Sequence, residues 1–558
     1  MLLGIDVGGT HTDAVVVGRQ GIVAAAKTVT RHDDLLSSVR AALQQVLPAA
    51  EAGKIRQVNL STTLTTNAIV EDRLEKTGVF VVAGPGVDPN GCRTGDHYFT
   101  CRGSIDHRGK VRQPLDREEI ASWGQQCREN GLRTYAVVGK FSPRNPEHEL
   151  ELHDLLRGQA DFIAVGHQLG GRLNFPRRVA TSYYNAAVWR AYNRFADAVS
   201  DSVREFGLEA AIDILKADGG TMPLALSRRQ PVQSILSGPA ASVMGIIALC
   251  DISDDAVILD IGGTTTDIAI FAGGAPLLET DGIVIGRHPT LVRAIITRSI
   301  GVGGDSCIWS QAGRLGVGPQ RRGPAMAFGG RHPTLIDACN FLGISRVGDH
   351  QTSLAGLRQL AAELQLKPEM VARAALESAI GQITVATGEL IAELNNRPVY
   401  TVHEMLAPEI IQPQHLYLMG GPAQVLAPAL GEAFNLPTTV PPEFAVANAI
   451  GAALTRTTME IELFADTEKK QFFIPNLEIS KKIPFQYSLE EAISDGKQHL
   501  AAYLRQLDIE VAEEEITVIE ADSFNMINNY FKVGKNIRVN CQLRPGIREQ
   551  YSQGLRNP

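Results

Sequence analysis

Two stretches of this chain are close copies of one another. Ile5-Asp6-Val7-Gly8-Gly9-Thr10-His11-Thr12-Asp13 returns as Leu259-Asp260-Ile261-Gly262-Gly263-Thr264-Thr265-Thr266-Asp267, with six residues identical at a spacing of 254. A motif used twice at that distance constrains the chain to two related halves that open with the same local structure. Each copy reads as a short apolar strand, a turn of small residues and a second alternating strand, which is the pattern of a hairpin. Gly8-Gly9 and Gly262-Gly263 let another group approach the backbone, and Thr10, Thr12, Thr264 and Thr265 add amide and hydroxyl donors, so each turn is read as a holder of phosphate oxygens. Asp6 and Asp260 fall at the ends of the first strands, where a carboxylate can orient water around a hard cation such as magnesium, and are the candidate catalytic and metal residues. Asp13 and Asp267, seven residues on, are expected to bond back to the amides of the turn.

Other segments fit a nucleotide cleft between the halves. Ile300-Gly301-Val302-Gly303-Gly304-Asp305-Ser306 is a Gly-rich bend, and Gly303 and Gly304 are expected to pass close to a phosphate or ribose. Leu416-Tyr417-Leu418-Met419-Gly420-Gly421 reads as a buried strand whose closing glycines, Gly420 and Gly421, let a flat base lie against backbone. Ser237 stands where a cap would for the small-residue helix that follows it. Helical spacing is also seen over about 34–46, 175–206, 367–394 and 489–507, and strand patterns at 79–83, 135–138 and 537–543. The division expected is a first lobe over 1–190, a second over 191–455 carrying the repeated motif, and an α+β appendage over 456–558.

Fifty-three Lys and Arg against 61 Asp and Glu leave a formal charge of −8, which argues against a general affinity for nucleic acid or anionic membrane. No apolar run is long enough to span a bilayer, and Asp6 interrupts the opening before a signal-peptide core can form, so a cytoplasmic protein is expected. Seven scattered cysteines form no C-x-x-C pair. The one local group of ligand types, Cys92, His97, Cys101 and His107, has spacing too irregular to favour zinc over a loop of reduced thiols.

The motifs at 6–13 and 260–267, together with Ser61-Thr62-Thr63-Leu64-Thr65-Thr66-Asn67-Ala68, Arg144-Asn145-Pro146-Glu147-His148-Glu149, Ser237-Gly238-Pro239-Ala240-Ala241 and Pro333-Thr334-Leu335-Ile336-Asp337-Ala338, resemble successive landmarks of the hydantoinase/oxoprolinase family, in particular its N-methylhydantoinase A type subunit. The resemblance covers about 1–455. It implies the duplicated actin-like ATPase fold, related to ribonuclease H, with ATP and Mg2+ in the cleft between two α/β lobes. It also implies an activity that couples ATP hydrolysis to opening a cyclic amide such as a hydantoin or 5-oxoproline-like lactam. Carboxylation of a ketone, a small-molecule kinase and a nucleotide-responsive regulatory ATPase are the alternatives. A separate B-type hydantoinase subunit is the implied partner, and self-association is left open. Two departures stand out: His11 where the family usually has Phe, and Ser61 where it usually has Gly. Residues 61–68 and 92–109 are the candidate substrate loops.

Overall fold

The computed structural model describes all residues except 32–33, 312–313, 398–409, 508, 510, 529 and 557–558. The repeated motif builds the centre of two sheets with the same grammar. In the first, Leu2–Val7 pairs antiparallel with His11–Gly18 and parallel with Gln57–Thr62. In the second, Ala256–Ile261 pairs antiparallel with Thr266–Ala272 and parallel with His415–Met419. Both central strands are apolar along nearly their whole length because both faces are covered. The first sheet is extended by Gly21–Val29 on one side and by Ala211–Leu215 and Thr221–Pro223 on the other, so it draws on chain from both sides of residue 190.

Two short helices join the sheets. Ser237–Leu249 and Ala447–Leu454 belong to a core that also contains Leu2, Val15 and Val17 of the first sheet and Ile258, Phe271 and Met419 of the second. The helices approach until a Cβ added at Gly451 would lie 2.2 Å from the Ala241 carbonyl oxygen, and one at Gly245 2.3 Å from that of Ala447. The small residues of Ser237-Gly238-Pro239-Ala240-Ala241-Ser242 therefore do allow close helix packing.

A four-stranded, wholly parallel sheet stands beside the first, in the order Phe162–Val165, Thr134–Gly139, Thr77–Val82, His97–Thr100. The 31-residue helix Phe175–Glu205 packs on it, opened by Asn174, whose side chain accepts from the Arg177 amide. C-terminal to these, Met459–Asp466, Gln471–Ile474, Ile479–Lys482, Ile516–Asn528 and Phe531–Leu543 form a five-stranded antiparallel sheet. Helix Leu489–Gln506 covers it, started by a capping box between Ser488 and Glu491. The tail then returns: helix Glu549–Arg556 lies on Ser237–Leu249, with the Ser552 hydroxyl donating to the Ala248 carbonyl (3.1 Å). The molecule thus has the duplicated α/β architecture with a small α+β appendage. No helix among the described residues is long and apolar enough to cross a membrane.

Candidate functional site

The two motif turns are built alike and face each other. The Gly8 amide donates to the His11 carbonyl (3.0 Å), and the Gly262 amide to that of Thr265 (2.9 Å). The hydroxyls of Thr10 and Thr264, equivalent positions of the repeat, are 3.5 Å apart. The amides of Gly9, Thr10, Gly263 and Thr264 find no backbone acceptor among the described residues. Gly9 is exposed, with nothing within 4 Å of where a Cβ would stand. Unpaired amides on facing turns are the donors with which a nest holds an anion.

Antiparallel pairing sets Asp6 beside Asp13 and Asp260 beside Asp267. Asp6 is 5% exposed, and its Oδ1 has no hydrogen-bond partner among the described residues; nor does the Oγ of Ser61, its neighbour on the parallel strand. Burial and then the charge of Asp13 push the Asp6 carboxyl up to about 7; the Asp260 charge adds to the rise, and the nearby polar groups of Ser61 and Asn448, though Ser61 Oγ is out of hydrogen-bonding geometry, act against it. Asp260 is better served: its Oδ2 accepts from Ser242 Oγ (2.6 Å) and Asn448 Nδ2 (3.1 Å). Asp6 and Asp260 are the carboxylates able to hold a hydrated hard cation, and the orphaned Asp6 oxygen fits that use.

Asp13 and Asp267 do not bond to the turns as expected. Asp13 holds Lys27 Nζ through both oxygens (2.8 and 2.7 Å), and Lys27 is its register partner on the next strand. Asp267 accepts from Ser299 Oγ, again its cross-strand partner. In a hairpin a side chain stands perpendicular to the strand and meets the neighbouring strand rather than a turn five residues behind it. Burial followed by the Asp260 charge raises Asp267 to about 7, and burial raises Asp13 in spite of Lys27.

The second motif threonines face inward. Thr12 Oγ1 is 3.0 Å from Thr30 Oγ1, and Thr266 Oγ1 donates to the Val302 carbonyl (2.7 Å); both residues are fully buried, whereas Thr265 is exposed at the turn. The Gly-rich bend packs onto the second turn. The Gly304 amide donates to the Gly262 carbonyl (3.0 Å), that of Asp305 to Gly263 (2.7 Å), and a Cβ at Gly303 would lie 2.6 Å from the Gly262 oxygen. At Gly304 a Cβ would meet Pro422 at 2.7 Å. Gly420 has φ +88° and backs onto the Ile261 carbonyl, while Gly421 has open space around it.

Several further side chains meet the motif turns. Lys27, Asn448 and Arg321 carry no local signal, since each arrives from a distant segment. Asp305 lies inside the Gly-rich bend at 300–306 and Ser242 directly follows the Ser237–Ala241 landmark, so both carry a local signal. Arg321 pairs with Asp305 (3.1 Å) beside Gly263. His11 is half-buried near this pair, and burial followed by the Lys27 charge lowers its pKa, which favours the neutral ring.

Ser237 is not a cap. The helix is capped at Leu236, and the Ser237 hydroxyl donates to the Thr62 carbonyl (2.9 Å) and accepts from the Thr62 amide (3.2 Å), because the helix start is pressed against the end of that strand. Two of the 61–68 hydroxyls serve the same junction: Thr65 Oγ1 is 2.8 Å from Ser234 Oγ, and Thr66 Oγ1 accepts from the Leu236 amide. In 92–109, Asp106 closes a turn on the amides of Arg108 and Lys110. Among the described residues no three or more His, Cys, Asp or Glu side chains gather to hold a metal, the Cys92, His97, Cys101 and His107 group included.

With this geometry in hand, the chain can be set beside known proteins. It matches the hydantoinase/oxoprolinase N-terminal region over residues 2–159 and the hydantoinase/oxoprolinase domain over 178–461. It is 27% identical over 377 residues to the caprolactamase subunit alpha of Pseudomonas jessenii, covering 61% of this chain and 54% of that one. It is 25% identical over 392 residues to the acetophenone carboxylase gamma subunit of Aromatoleum aromaticum, covering 61% and 52%. The chain thus spans about half the length of these curated relatives. Among solved structures, nucleotide-free acetone carboxylase superposes with a TM-score of 0.70 at 16% identity, over 99% of this chain and 88% of that one. The ATP-dependent caprolactamase of Pseudomonas jessenii superposes with a TM-score of 0.68 at 20% identity, over 97% and 87%. The fold is the actin-like ATPase fold, and the chain belongs to the hydantoinase/oxoprolinase family.

Proposed function

We propose that this chain is the ATP-using component of an enzyme that opens a cyclic amide of the hydantoin or 5-oxoproline type by phosphorylating its carbonyl oxygen. The observation that carries this reading is the pair of equivalent turns facing each other across the Thr10–Thr264 contact, with unpaired amides on both. ATP and magnesium, when bound, supply the phosphoryl group and neutralise its charge, turning a poor amide electrophile into one with a good leaving group. In this reading the amides of Gly9, Thr10, Gly263 and Thr264 bind and orient phosphate oxygens. Asp6 and Asp260 hold the metal through its water, Ser242 and Asn448 fix the Asp260 carboxylate, and Gly421 leaves room for a base. The cytoplasm is the proposed place of action.

The likeness to a lactam-acting subunit supports the hydrolase reading, and the likeness to an acetophenone carboxylase subunit supports ATP-dependent carboxylation as the second. The test is ATP turnover by the purified chain against a panel of lactams, hydantoins and ketones, with and without bicarbonate. Stimulation by a lactam or hydantoin without bicarbonate is expected, and stimulation only by a ketone with bicarbonate selects the carboxylase. A stable phosphorylated product selects a kinase, and ATP turnover that no metabolite stimulates even with a B-type subunit added selects a regulatory ATPase. Absence of any magnesium-dependent adenine-nucleotide affinity sinks all of these. Because both relatives are named as subunits, a B-type partner is proposed, and turnover by the isolated chain should be weak; robust turnover without a partner would remove it.

The raised carboxyl of Asp6 makes a further expectation. Near pH 7 it is about half protonated, so a divalent cation must displace its proton. Magnesium affinity in the presence of nucleotide should rise from pH 6 to pH 8, with proton release that shrinks over the same interval. Calorimetry in two buffers of different ionisation enthalpy reads this directly, and a pH-independent affinity with no proton release would contradict it.

A further inference from the structure

A second cavity lies away from the motif turns, none of whose residues lines it. The strands Thr77–Val82, Thr134–Gly139 and Phe162–Val165 are parallel, so their carboxyl ends share one edge, and in open parallel sheets that edge is where ligands bind. Here it opens into a cavity of about 410 Å³, closed on the opposite side by the C-terminal sheet through Phe464, Phe473 and Ser480. That volume suits a small metabolite.

The floor of the cavity is a pre-set polar cluster. His167 follows directly on Phe162–Val165 and Gly166, and its Nδ1 is 2.6 Å from Glu149 Oε2. Glu149 also accepts from the amides of Gly139 (2.7 Å) and His167 (2.8 Å). Arg178 Nη1 lies 3.6 Å from Glu149 Oε1 and donates to the Gly139 carbonyl (2.9 Å). Glu149 and Arg178 are fully buried. A carboxylate on Nδ1 fixes the imidazole and leaves Nε2 as the free ring nitrogen of a residue that lines the cavity.

The wall is cationic. Arg144 is partly buried, and its guanidinium donates to the His107 carbonyl but has no carboxylate within ion-pair distance among the described residues. Burial pushes its pKa down, with Asp466 acting against that from farther off. Arg108 lines the same wall, and its one acidic partner among the described residues is Glu468, at 3.9 Å. Lys469 joins them, its Nζ donating to the Arg108 carbonyl; Asp466 and Glu478 are the acidic residues of the lining, and Glu478 is engaged by Gln168. A partly desolvated guanidinium without a counter-charge is costly to keep, and an anion in the cavity would offset that cost.

We propose that this cavity is a second ligand site, which takes a small molecule through a carboxylate or phosphate group held by Arg144 and Arg108 while His167 meets a further polar group of the ligand. The site goes beyond the proposed nucleotide cleft and does not depend on it. The carboxylate and phosphate sources differ in how they answer two probes, glutarate and inorganic phosphate.

The test is site-resolved arginine labelling of the full chain with phenylglyoxal, read by peptide mass spectrometry, because inorganic phosphate is also expected at the motif turns. Saturating glutarate or phosphate should slow modification of Arg144 and Arg108 by about tenfold, the scale of losing a charge-assisted contact. Protection by phosphate alone assigns a phosphoryl ligand, and protection by glutarate assigns a carboxylate. Ser480→Trp, which fills the cavity from an exposed edge strand without removing a charge, should abolish protection. In Arg144→Gln, after its melting curve shows it folded, half-protection of Arg108 should need about tenfold more of the protecting anion. No protection of Arg144 by either anion, or equal protection in Ser480→Trp, overturns the proposal.

Discussion

Replacing Asp6 or Asp260 by Asn should lower ATP turnover by about 10²- to 10³-fold while leaving the protein folded, the usual cost of losing one electrostatic contact in a transition state. The two carboxylates stand at equivalent places of the repeat, but their surroundings differ. Asp260 is held by Ser242 and Asn448, whereas Asp6 has a buried oxygen with no partner among the described residues. Asn keeps the shape of a protonated Asp, the form that burial favours at position 6. A folded-state pKa near 7 against an ordinary value of 3.8 means stability present below about pH 4 and lost as pH rises through 7. Asp6→Asn removes that loss, so the variant should melt at or above the wild type at pH 8 even as turnover falls. Thr266→Ala serves as the contrast. Its hydroxyl braces the turn on the Val302 carbonyl, a bond worth about 1 kcal/mol, and the change should cost turnover less than either Asp variant. ATP hydrolysis and ATP affinity measured for all three check this, and near-normal turnover in both Asp variants would refute the role assigned to the motif.

Gly451→Ala should destabilise the protein by at least about 3 kcal/mol, the top of the range for overpacking. The added methyl would stand 2.2 Å from the Ala241 carbonyl oxygen and 2.4 Å from the Gly245 amide nitrogen, and backbone of a packed helix cannot step aside as a side chain can. The damage should reach the cleft. Helix Ala447–Leu454 carries Asn448 to Asp260 and packs on the first strand so closely that a Cβ at Gly4 would be 2.0 Å from the Ala449 carbonyl. The apparent KM for ATP should therefore rise as the melting temperature falls. Gly381→Ala is the control, since it lies in helix Pro368–Asn395 with nothing within 4 Å, and there Ala should stabilise by about 0.5–1 kcal/mol. Thermal denaturation of the two variants decides the matter, and a Gly451→Ala protein that melts like the wild type would refute the close-packed interlobe joint.

The helices expected over 34–46, 175–206 and 489–507 were legible from their apolar spacing, and each proves to open on a side-chain cap, whereas the equally capped helices Arg117–Glu129 and His350–Glu363 gave no such pattern. Asp34 accepts from the Ser37 amide to start Leu35–Val46, Asn174 opens the 31-residue helix, and Ser488 with Glu491 boxes the start of Leu489–Gln506. The Cys and His residues of 92–109 have the side-chain types of zinc ligands but not their spacing, and among the described residues they form no group of three or more able to hold a metal. Ser237 looked like a cap because its residue type and its place before a helix are those of one. What decided its role was Thr62, which meets it from 175 positions away.

The amino-acid sequence by itself determined the duplicated hairpins, the equivalence of Asp6 with Asp260, and the expectation of a cleft between related halves. Period-two alternation, Gly-Gly turns and capping residues act over a few positions and are written in the chain. Only the tertiary structure decided that Asp13 pairs with Lys27, that Asn448 holds Asp260, that one core is shared by both sheets, and that Arg144 and His167 line a cavity closed by the C-terminal sheet. Each of these joins segments that local spacing does not relate. They come together because burying apolar faces of separate elements sets which side chains meet, and that is settled by packing across the whole molecule.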